Sequence, residues 1–528
     1  MVCASVPVAA EAGRSCLAAG GNAFDAALAT AATLCVVEPF MTGIGGDAFV
    51  LAWSAQEGRL VGLNGSGRAP SGHDLGALAA SGQARIPETG IWSATVPGTV
   101  HAWETLHAKY GRLAFAQVLT PAIRAAEEGF AVAEIVAHYW RGVVAIGRLA
   151  NDAARRDWAP DGRTPAAGEW FRAPALGRTL RAIAEGGAAA FYEGPVADAI
   201  VATSNELGGG FRAEDLAGHT STWVEPITTD YRGTTVAELP PNGQGLTALL
   251  ALNVLECFDP DEAPAGSALQ WHRRIEAVKL AFADRNAYVA DPAGVDVPVA
   301  ALLDKDYARK RAGSVGERAL PGASPGLGSD TVYCCAADRE GNLVSFIQSL
   351  FGPFGSGIGC GDTGVVLQNR GFGFSNDPSH PNALAPGKRP FHTIIPAMLL
   401  QDGAPRMAFG IMGGHIQAQA HLAFVSNVVD HGMNPQEAID AARFRYEGER
   451  RVTIETPAAA LPEGGTLGAA LGARGHEVEA PPARMAGTFG GGQAIERLPN
   501  GVLAGASDRR KDGMASGLDV APAGSAAR

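Results

Sequence analysis

Residues 330–342, DTVYCCAADREGN, decide the fold, because they join a strand pattern to a turn where the composition of the chain changes. Residues 331–337 are β-compatible and apolar on both faces, which predicts a strand that is covered on two sides. Residues 338–342 are a cluster of turn-favouring residues. Residues 343–349, LVSFIQS, predict a second strand, so the two strands are expected to form a hairpin.

The expected register of this hairpin places two hydroxyl side chains opposite each other. If the turn is centred on Glu340, Ala337 faces Leu343 and Thr331 faces Ser349. Directly opposed residues on one face of an antiparallel pair have Cβ atoms about 4.5–5.5 Å apart. A register slip of one residue would separate the two hydroxyl groups.

A loop is predicted immediately before the first strand. Residues 311–330 end in GASPGLGSD, which is rich in small, turn-prone residues and is typical of an exposed linker. Most such stretches are plain connections, and a threonine at the start of a strand usually bonds to a backbone carbonyl. A threonine hydroxyl becomes a useful nucleophile when a free α-amino group on the same residue acts as its base. Thr331 would gain that amine only if the chain were cut after Asp330.

Further elements are predicted on both sides of the hairpin. Asn22 is expected to cap a helix over 23–35, with Asp25 reaching back to the cap. A second helix is predicted over 120–129, with Pro121 in its first turn and a glycine as its C-terminal cap. The other predicted elements are a helix over 268–289, hairpin strands over 393–400 and 406–412, and a helix that follows Gly413-Gly414 and ends near His431.

The composition is that of a globular protein with a large core. Of 528 residues, 46% are hydrophobic and 18% are charged, which argues against disorder. The formal net charge of −12 disfavours binding to nucleic acid or to anionic membranes. No internal repeat is visible, and the last residues, 518–528, have the composition of a tail.

The cysteines and the first residues bear on the compartment. The seven cysteines include no CxxC pair, which argues against a disulfide framework or a zinc site and favours a reducing compartment. No signal peptide and no run of apolar residues long enough to span a bilayer is seen, so the cytoplasm is expected. A chain trimmed of its leader, from a secreted or periplasmic protein, would look the same. The 12 histidines show no HExxH pattern, so no metal site is predicted.

Several short motifs occur in the same order as in a known family. Besides residues 330–342, they include Gly20-Gly21-Asn22-Ala23, Gly45-Gly46, Val96-Pro97-Gly98-Thr99, Ala283-Asp284-Arg285, Lys388-Arg389-Pro390, Gly413-Gly414 and Gly505-Ala506-Ser507-Asp508. On these motifs, the chain resembles the γ-glutamyltransferase (glutathione hydrolase) family of N-terminal-nucleophile hydrolases over about residues 2–512. The departures described below resemble the oxamate-amidohydrolase and acylase-like branch of that family.

The resemblance implies a fold and a mechanism. The fold would be α+β, a four-layer αββα sandwich that residues 1–330 (large subunit) and 331–528 (small subunit) build together. The precursor would cut itself between Asp330 and Thr331, the two fragments would stay associated, and Thr331 would become the nucleophile. Ser349 falls on the family's second threonine, and Gly413 and Gly414 fall on its oxyanion-hole glycines. No metal or organic cofactor is implied.

The residues that bind a γ-glutamyl group in the family are changed here. The family's carboxylate-binding arginine falls on Ser66, while Arg68 lies two residues away and could replace it only along a different backbone path. The family's ammonium-binding aspartate falls on Gly373. The family's Gln-then-acid site becomes Arg370, beside Asn369, and its serine pair becomes His392-Thr393.

These changes favour an acyl group with a carboxylate and no α-amino group. Arg370 and His392 would supply the cations, with Asn369, Thr393, Ser66 and Arg68 as further candidate substrate-binding residues. Two other interpretations stay open: Arg370 in a structural ion pair, and His392 as a hydrogen-bonded packing residue.

The sequence leaves three functions open. The first is a glutathione-type γ-glutamyl hydrolase or transferase. The second is an oxamate amidohydrolase or cephalosporin-type acylase acting on another small carboxylated amide. The third is an unprocessed relative that only binds ligands. The segment 375–388 is shorter than the family's lid loop, which favours hydrolysis over acyl transfer. A homo-oligomer is possible.

Overall fold

A computed structural model describes residues 1–326, 330–461, 464–481 and 489–518. Two sheets dominate this part of the chain. The first has seven strands in the order β18-β1-β9-β10-β2-β3-β6, and the second has six in the order β17-β16-β12-β11-β8-β7. Two further small sheets have the strand orders β13-β14-β15 and β4-β5.

The strands of these sheets are short to medium in length. They are β1 Val2–Ala4, β2 Asp47–Ser54, β3 Arg59–Gly65, β4 Phe130–Ala131, β5 Trp170–Phe171, β6 Thr222–Val224, β7 Ile227–Tyr231, β8 Thr234–Glu238, β9 Asp330–Ala337, β10 Leu343–Phe351, β11 Ala397–Gln401, β12 Ala404–Met412, β13 Phe444–Gly448, β14 Arg451–Ile454, β15 Glu477–Glu479, β16 Gly491–Arg497, β17 Leu503–Ser507 and β18 Met514–Ser516.

Helices cover the outer faces of the sheets and fill the connections. They are α1 Pro7–Ala18, α2 Ala23–Val37, α3 Leu75–Ala80, α4 Thr99–Tyr110, α5 Phe115–Glu127, α6 Glu134–Ala145, α7 Asp152–Trp158, α8 Pro174–Gly186, α9 Ala189–Tyr192, α10 Pro195–Glu206, α11 Ala213–Ala217, α12 Gly245–Glu256, α13 Ala268–Tyr288, α14 Val299–Leu302, α15 Lys305–Ala312, α16 Ile416–His431, α17 Pro435–Asp440 and α18 Leu467–Ala473. No helix among the described residues has both the length and the apolar character needed to cross a bilayer.

The main layers are helix, sheet, sheet and helix. Helix α2 packs on β9 and β10 of the first sheet, and α12 and α16 pack on strands of the second sheet. The two sheets face each other where β9 and β10 contact β12. Tyr333 fills the space between them, and its hydroxyl lies 2.8 Å from Ser345 Oγ. A Cβ on Gly410 would lie 2.3 Å from the Tyr333 ring, so the glycine lets the two sheets approach closely.

Strands from both sides of the proposed cleavage point pair with each other in the first sheet. Strand β9 pairs with β1, where Val2 is opposite Ala336. Strand β10 pairs with β2, where Ser349 is opposite Asp47. Because the first sheet interleaves residues before and after 330, cutting the chain there would leave its two fragments joined through backbone ladders.

Several predicted elements are confirmed. Helix α2 has the expected capping box between Asn22 and Asp25, and α13 covers nearly the predicted residues. The β11–β12 hairpin and the glycine turn into α16 are also present. The first strand of that hairpin begins at Ala397, four residues after the predicted start at Thr393.

The prediction for the helix around Pro121 was wrong at its N-terminus. Helix α5 begins at Phe115, so Pro121 lies inside it and not in its first turn. The Gln117 side chain accepts a hydrogen bond from the Ala114 N–H at 3.1 Å and caps this earlier start. An amphipathic helix packed on α2 and α8 tolerates the one backbone bond that proline removes. Gly129 follows the helix with a φ of +98°, as expected of a C-terminal glycine.

Candidate active site

Thr331 lies at the start of β9 and is fully buried. Its hydroxyl donates a hydrogen bond to Ser349 Oγ on β10 at 3.2 Å. The side-chain amide of Gln417, in the first turn of α16, donates to Thr331 Oγ1 at 3.4 Å. The Phe351 N–H donates to Ser349 Oγ at 2.8 Å, which orients that hydroxyl. An amide donor beside Oγ1 can stabilise negative charge that develops on this oxygen.

The hairpin register is the predicted one for all the pairs from Leu343 to Gln348. Beyond Gln348 the ladder shifts by one residue, and Phe351 pairs with Asp330. Phe351 has a φ of +76°, a left-handed conformation that takes up the extra residue of the bulge. The bulge leaves the two hydroxyl groups within hydrogen-bonding distance.

Gly413 and Gly414 form the turn between β12 and α16. Their φ angles are +120° and +69°, in the region that side chains disfavour. A Cβ on Gly413 would lie 2.8 Å from Ile416 Cγ2 and 3.0 Å from Gly490 Cα. Across the described part of the chain, neither glycine N–H has a backbone acceptor. Gln417 connects this turn to Thr331, because its own N–H donates to Gly414 O at 3.1 Å.

Arg370 is a fully buried guanidinium with an unpaired edge. Its Nη1 donates to Thr393 Oγ1 at 2.9 Å, and its guanidinium carbon lies 4.0 Å from the centroid of the Phe351 ring. Within the described residues, neither Nε nor Nη2 has a hydrogen-bond acceptor. Burial lowers the pKa of Arg370 to about 9, and the charge of Asp47 acts in the opposite direction. At neutral pH the group is therefore charged and can accept a further anionic partner.

His392 occupies a position that does not fit the expected cationic role. Its Nε2 lies 3.0 Å from Asp47 Oδ2. The Ile394 N–H donates to Nδ1 at 3.4 Å, which assigns the ring proton to Nε2. Burial, and then the neighbouring arginines, hold the pKa of His392 well below its usual range. The ring is therefore neutral, as the alternative of a hydrogen-bonded packing residue requires.

The other candidate substrate residues use their polar groups in protein contacts. Ser66 is buried, and its hydroxyl donates to Asn64 Oδ1 at 2.7 Å. Arg68 donates to the Thr220 carbonyl at 3.4 Å. Asn369 connects two backbone segments, because its Oδ1 accepts one N–H at 2.7 Å and its Nδ2 donates to one carbonyl at 2.8 Å. Arg370 and Thr393 are thus the predicted pair whose side chains meet.

Asp47 is a buried acid near the site that the sequence did not reveal. It starts β2, opposite Ser349, and it is fully buried. Its Oδ1 accepts from Gln368 Nε2 and from the Gly67 N–H, each at 2.9 Å, while Oδ2 faces His392. Burial raises the pKa of Asp47 to about 6, against the lowering effect of these hydrogen bonds. Nothing in the sequence distinguishes this aspartate from a surface residue at a strand start.

Two glutamines were also missed. Gln417 follows Gly414 by three residues, so its side chain returns to the turn at the start of α16. Gln244 Nε2 donates to Gly414 O at 2.9 Å and to Thr393 O at 2.7 Å. Gln417 could have been found from its spacing on a helix that follows two glycines. Gln244 is brought to the site from a distant part of the sequence and carries no local signal.

One group of potential metal ligands occurs among the described residues, formed by His272, Glu276 and His476. The Lys279 ammonium lies 2.7 Å from Glu276 Oε1 and already neutralises that carboxylate. His272 Nδ1 and His476 Nε2 are 2.9 Å apart and share a hydrogen bond. We interpret the group as a hydrogen-bonded cluster between α13 and the residue before β15, outside the Thr331 site.

The chain is similar to known proteins over nearly its whole length. A family model described as Gamma-glutamyltranspeptidase matches residues 9–518. A glutathione hydrolase-like proenzyme of Bacillus subtilis, YwrD, is 40% identical and is covered over 97% of both chains. An oxamate amidohydrolase proenzyme of Klebsiella pneumoniae is 37% identical, also over 97% of both chains.

A solved structure agrees with these sequence matches. The cephalosporin acylase of Bacillus halodurans superposes with a TM-score of 0.90 at 44% identity, covering 97% of this chain and 94% of that one. The similarity spans both main sheets and the residues on either side of position 330. The chain therefore belongs to the gamma-glutamyltranspeptidase family of N-terminal-nucleophile amidohydrolases.

Proposed function

We propose that this chain is a proenzyme that cuts itself between Asp330 and Thr331 and then hydrolyses small carboxylated amides. The observation that carries the proposal is the position of Thr331. Its hydroxyl lies 3.2 Å from Ser349 Oγ and accepts a hydrogen bond from the Gln417 side chain. The Gln417 N–H in turn donates to Gly414 O, so these hydrogen bonds connect Thr331 to the glycine turn. The proenzyme names of the relatives at 40% and 37% identity support self-cleavage.

Self-cleavage uses the Thr331 hydroxyl before any free amine exists. Oγ1 attacks the carbonyl carbon of Asp330 while its proton passes to the neighbouring hydroxyl network through Ser349. The peptide C–N bond then breaks, the nitrogen takes up a proton, and an ester joins Asp330 to Thr331 Oγ1. Water hydrolyses this ester, which leaves a carboxylate on Asp330 and a free α-amine on Thr331.

Turnover repeats the same attack on a substrate amide. The Thr331 α-amine accepts the hydroxyl proton as Oγ1 bonds to the substrate carbonyl carbon. The oxyanion that forms would be held by the N–H groups of Gly413 and Gly414. The proton passes to the leaving amine as the C–N bond breaks, and water then releases the acyl group. Formation and hydrolysis of the acyl-enzyme each need one base, one nucleophile and one oxyanion hole.

Arg370 is proposed as the partner of a carboxylate on the acyl group. Its Nε–Nη2 edge is unpaired among the described residues, and this edge can form two parallel hydrogen bonds to a carboxylate. A buried donor without an acceptor costs free energy, which substrate binding would recover. Thr393 Oγ1 holds the opposite side of the guanidinium at 2.9 Å and fixes its plane.

An α-amino group on the acyl chain has no proposed partner. The Asp47 carboxylate has three hydrogen-bond donors of its own and no exposure. At Gly373, a Cβ would lie 2.9 Å from the Phe391 carbonyl oxygen, so an acidic side chain would require a backbone shift there. These features favour oxamate or a dicarboxylic monoamide over a γ-glutamyl amide. The oxamate amidohydrolase name of one relative points the same way.

Three assays test this proposal. A denaturing gel distinguishes a processed enzyme, which gives fragments of 330 and 198 residues, from an unprocessed binding protein, which gives one band. Ammonia release from oxamate, compared with p-nitroaniline release from its γ-glutamyl derivative, then separates the two enzymatic functions.

Glutaryl-p-nitroanilide is the matched substrate for the last comparison, because it is the γ-glutamyl compound without its α-amine. We expect kcat/KM for the glutaryl compound to equal or exceed that for the γ-glutamyl compound. A strong preference for the γ-glutamyl compound would show that an ammonium site exists and would overturn the substrate assignment.

A further inference from the structure

The linker that precedes Thr331, residues 313–330, lies along helix α13 where it is described. His272 Nε2 bonds to Gly316 O at 2.8 Å. Lys279 Nζ donates to Leu320 O at 2.8 Å. The helix side chains thus bind the peptide groups of the linker, as they would bind an extended peptide, and no regular structure in the linker is needed.

Two adjacent residues of α13 hold the end of the described linker. Arg285 Nη2 donates to Pro325 O at 2.8 Å. Asn286 Nδ2 donates to Ser324 O at 3.0 Å. Pro325 precedes Asp330 by five residues in the sequence. Residues 272, 279 and 286 are spaced by seven, which places them on one face of α13.

The other side of the Arg285 guanidinium points toward the active-site turn. Its Nη1 lies 3.1 Å from His415 Nδ1 and 3.3 Å from Gln244 Oε1. His415 directly follows Gly414, and Gln244 Nε2 donates to Gly414 O at 2.9 Å. One planar group therefore connects the linker to the proposed oxyanion hole through two routes.

Arg285 is held without an acidic partner in the described part of the chain. Burial alone lowers its pKa to about 9. Its guanidinium carbon lies 4.3 Å from the Phe282 ring centroid and 5.1 Å from that of Phe391, so two aromatic rings contact the cation. A buried cation with only neutral partners is costly for the fold. Its rigid fork, with donors on two sides, explains why an arginine is used here.

We propose that Arg285 is a positioning residue for self-cleavage. It fixes the linker at Pro325 and the Gly413-Gly414 turn relative to each other, which favours an approach of the Asp330 carbonyl to both the Thr331 hydroxyl and the oxyanion donors. Once the bond is cut, the linker contact is no longer needed and Arg285 supports only the turn. The inference rests on the proposed self-cleavage before Thr331, and it adds the group that aligns the precursor for that step.

The test is the rate at which the full-length chain converts to two fragments. Arg285→Lys keeps the charge but cannot reach the linker and the turn together, so self-cleavage should slow at least about tenfold. Arg274→Lys is the matched control, because Arg274 is a buried arginine on the same helix that donates to Asn427 Oδ1 at 2.8 Å, away from the linker. Its self-cleavage rate should equal that of the wild type.

A second readout distinguishes positioning from general stability. The turnover per cleaved site of Arg285→Lys, measured after long incubation, should fall less than its self-cleavage rate falls. A purely structural role would instead lower self-cleavage, turnover and thermal stability together. That parallel loss would overturn the inference.

A linker variant tests the same idea without touching α13. Gly326 has a φ of +94°, and a Cβ there would lie 3.0 Å from His415 Nε2. Gly326→Ala should therefore slow self-cleavage in an exposed segment where it cannot unfold the core. Gly316→Ala is the control, because a Cβ at Gly316 meets no atom within 4 Å.

The outcomes separate this inference from the proposed function. If the wild-type chain is never cut, the proposed function fails. If the wild type is cut and Arg285→Lys folds and is cut at the wild-type rate, only the inference about Arg285 is contradicted. If Arg285→Lys does not fold, the rate of Gly326→Ala against Gly316→Ala decides.

Discussion

Thr331 Oγ1 lies 3.2 Å from Ser349 Oγ, although the ladder between their strands is interrupted at this pair by a bulge between Gln348 and Phe351. Strand β10 pairs on its other side with β2, where Asp47 is opposite Ser349. The candidate nucleophile is thus anchored on a sheet that residues before and after position 330 build together. A sheet positions reacting groups more precisely than loops do.

Removal of the Thr331 hydroxyl should prevent maturation. We expect Thr331→Ala to remain one chain on a denaturing gel and to show no amidase activity, because the attacking oxygen is absent. Ser349→Ala should be cut at least about tenfold more slowly, because the Thr331 hydroxyl loses both its hydrogen-bond acceptor and the group that takes up its proton. A time course of fragment formation measures both effects. Fragments from Thr331→Ala would mean that cleavage does not use this hydroxyl.

A side chain on Gly413 should impair catalysis more than folding. Gly413→Ala would bring a Cβ within 3.0 Å of Gly490 Cα and strain a φ of +120°, so the turn would shift. We expect kcat to fall about 10²–10³-fold, as for the loss of an oxyanion-hole donor. Gly432→Ala is the control, since Gly432 also has a positive φ at the far end of α16, with nothing within 4 Å of its Cβ. Equal kcat values for the two variants would argue against an oxyanion role.

Substitution of Arg370 should affect carboxylated substrates selectively. A lysine cannot form the two parallel hydrogen bonds of the Nε–Nη2 edge. In Arg370→Lys we therefore expect KM for oxamate to rise about 10- to 100-fold. Turnover of p-nitroacetanilide, which has no acyl carboxylate, should change little. Arg389→Lys is a suitable control, because that buried arginine already donates to Ser66 O and to Thr220 O. An unchanged KM for oxamate in Arg370→Lys would remove Arg370 from the binding site.

The stability of the fold should decrease below neutral pH. Burial lowers the pKa of His73 from 6.5 to about 4, while the charge of Asp215 acts in the opposite direction. Between pH 6.5 and pH 4, the unfolded chain therefore binds a proton on this histidine that the folded chain does not bind. The free energy of unfolding decreases as the pH falls from about 6.5 towards 4. Because of this histidine, the free energy of unfolding should be about 2 kcal/mol lower at pH 5 than at pH 7.

The measurement for His73 compares thermal unfolding at pH 7 and pH 5. His73→Phe, made in the uncut Thr331→Ala chain, should lose less stability between the two pH values than the parent does. The uncut chain avoids separation of the fragments during unfolding. The same loss in both proteins would mean that His73 is already protonated when folded.

The sequence predicts the hairpin and its register because both depend on local features. The turn residues around Glu340 fix the centre of the hairpin, and a two-residue period then carries the pairing to Ser349. The left-handed conformation of Phe351 was not predictable, because nothing in the types of its neighbours requires it. The start of α5 was missed for a related reason, since the Pro121 signal outweighed a weaker cap at Gln117.

The candidate site was predictable where the residues follow one another in the chain. Thr331 and Ser349 lie in one hairpin, and Gly413-Gly414 lies directly before a helix, but their roles are expected from the family resemblance. Arg370 is a candidate only because it falls on the family's Gln-then-acid site. The hydrogen bonding of the His392 ring depends on Asp47, which is distant in sequence and contacts the ring only in the folded chain. Burial, which decides the charge of that histidine, is a property of the whole fold.

The N-terminal sequence of the small fragment tests the central claim most directly. If Thr331 becomes the nucleophile by gaining a free amine, Edman degradation of the fragment must begin Thr-Val-Tyr-Cys. A fragment that begins at any other residue, or a chain that stays whole and still hydrolyses oxamate, would contradict the account.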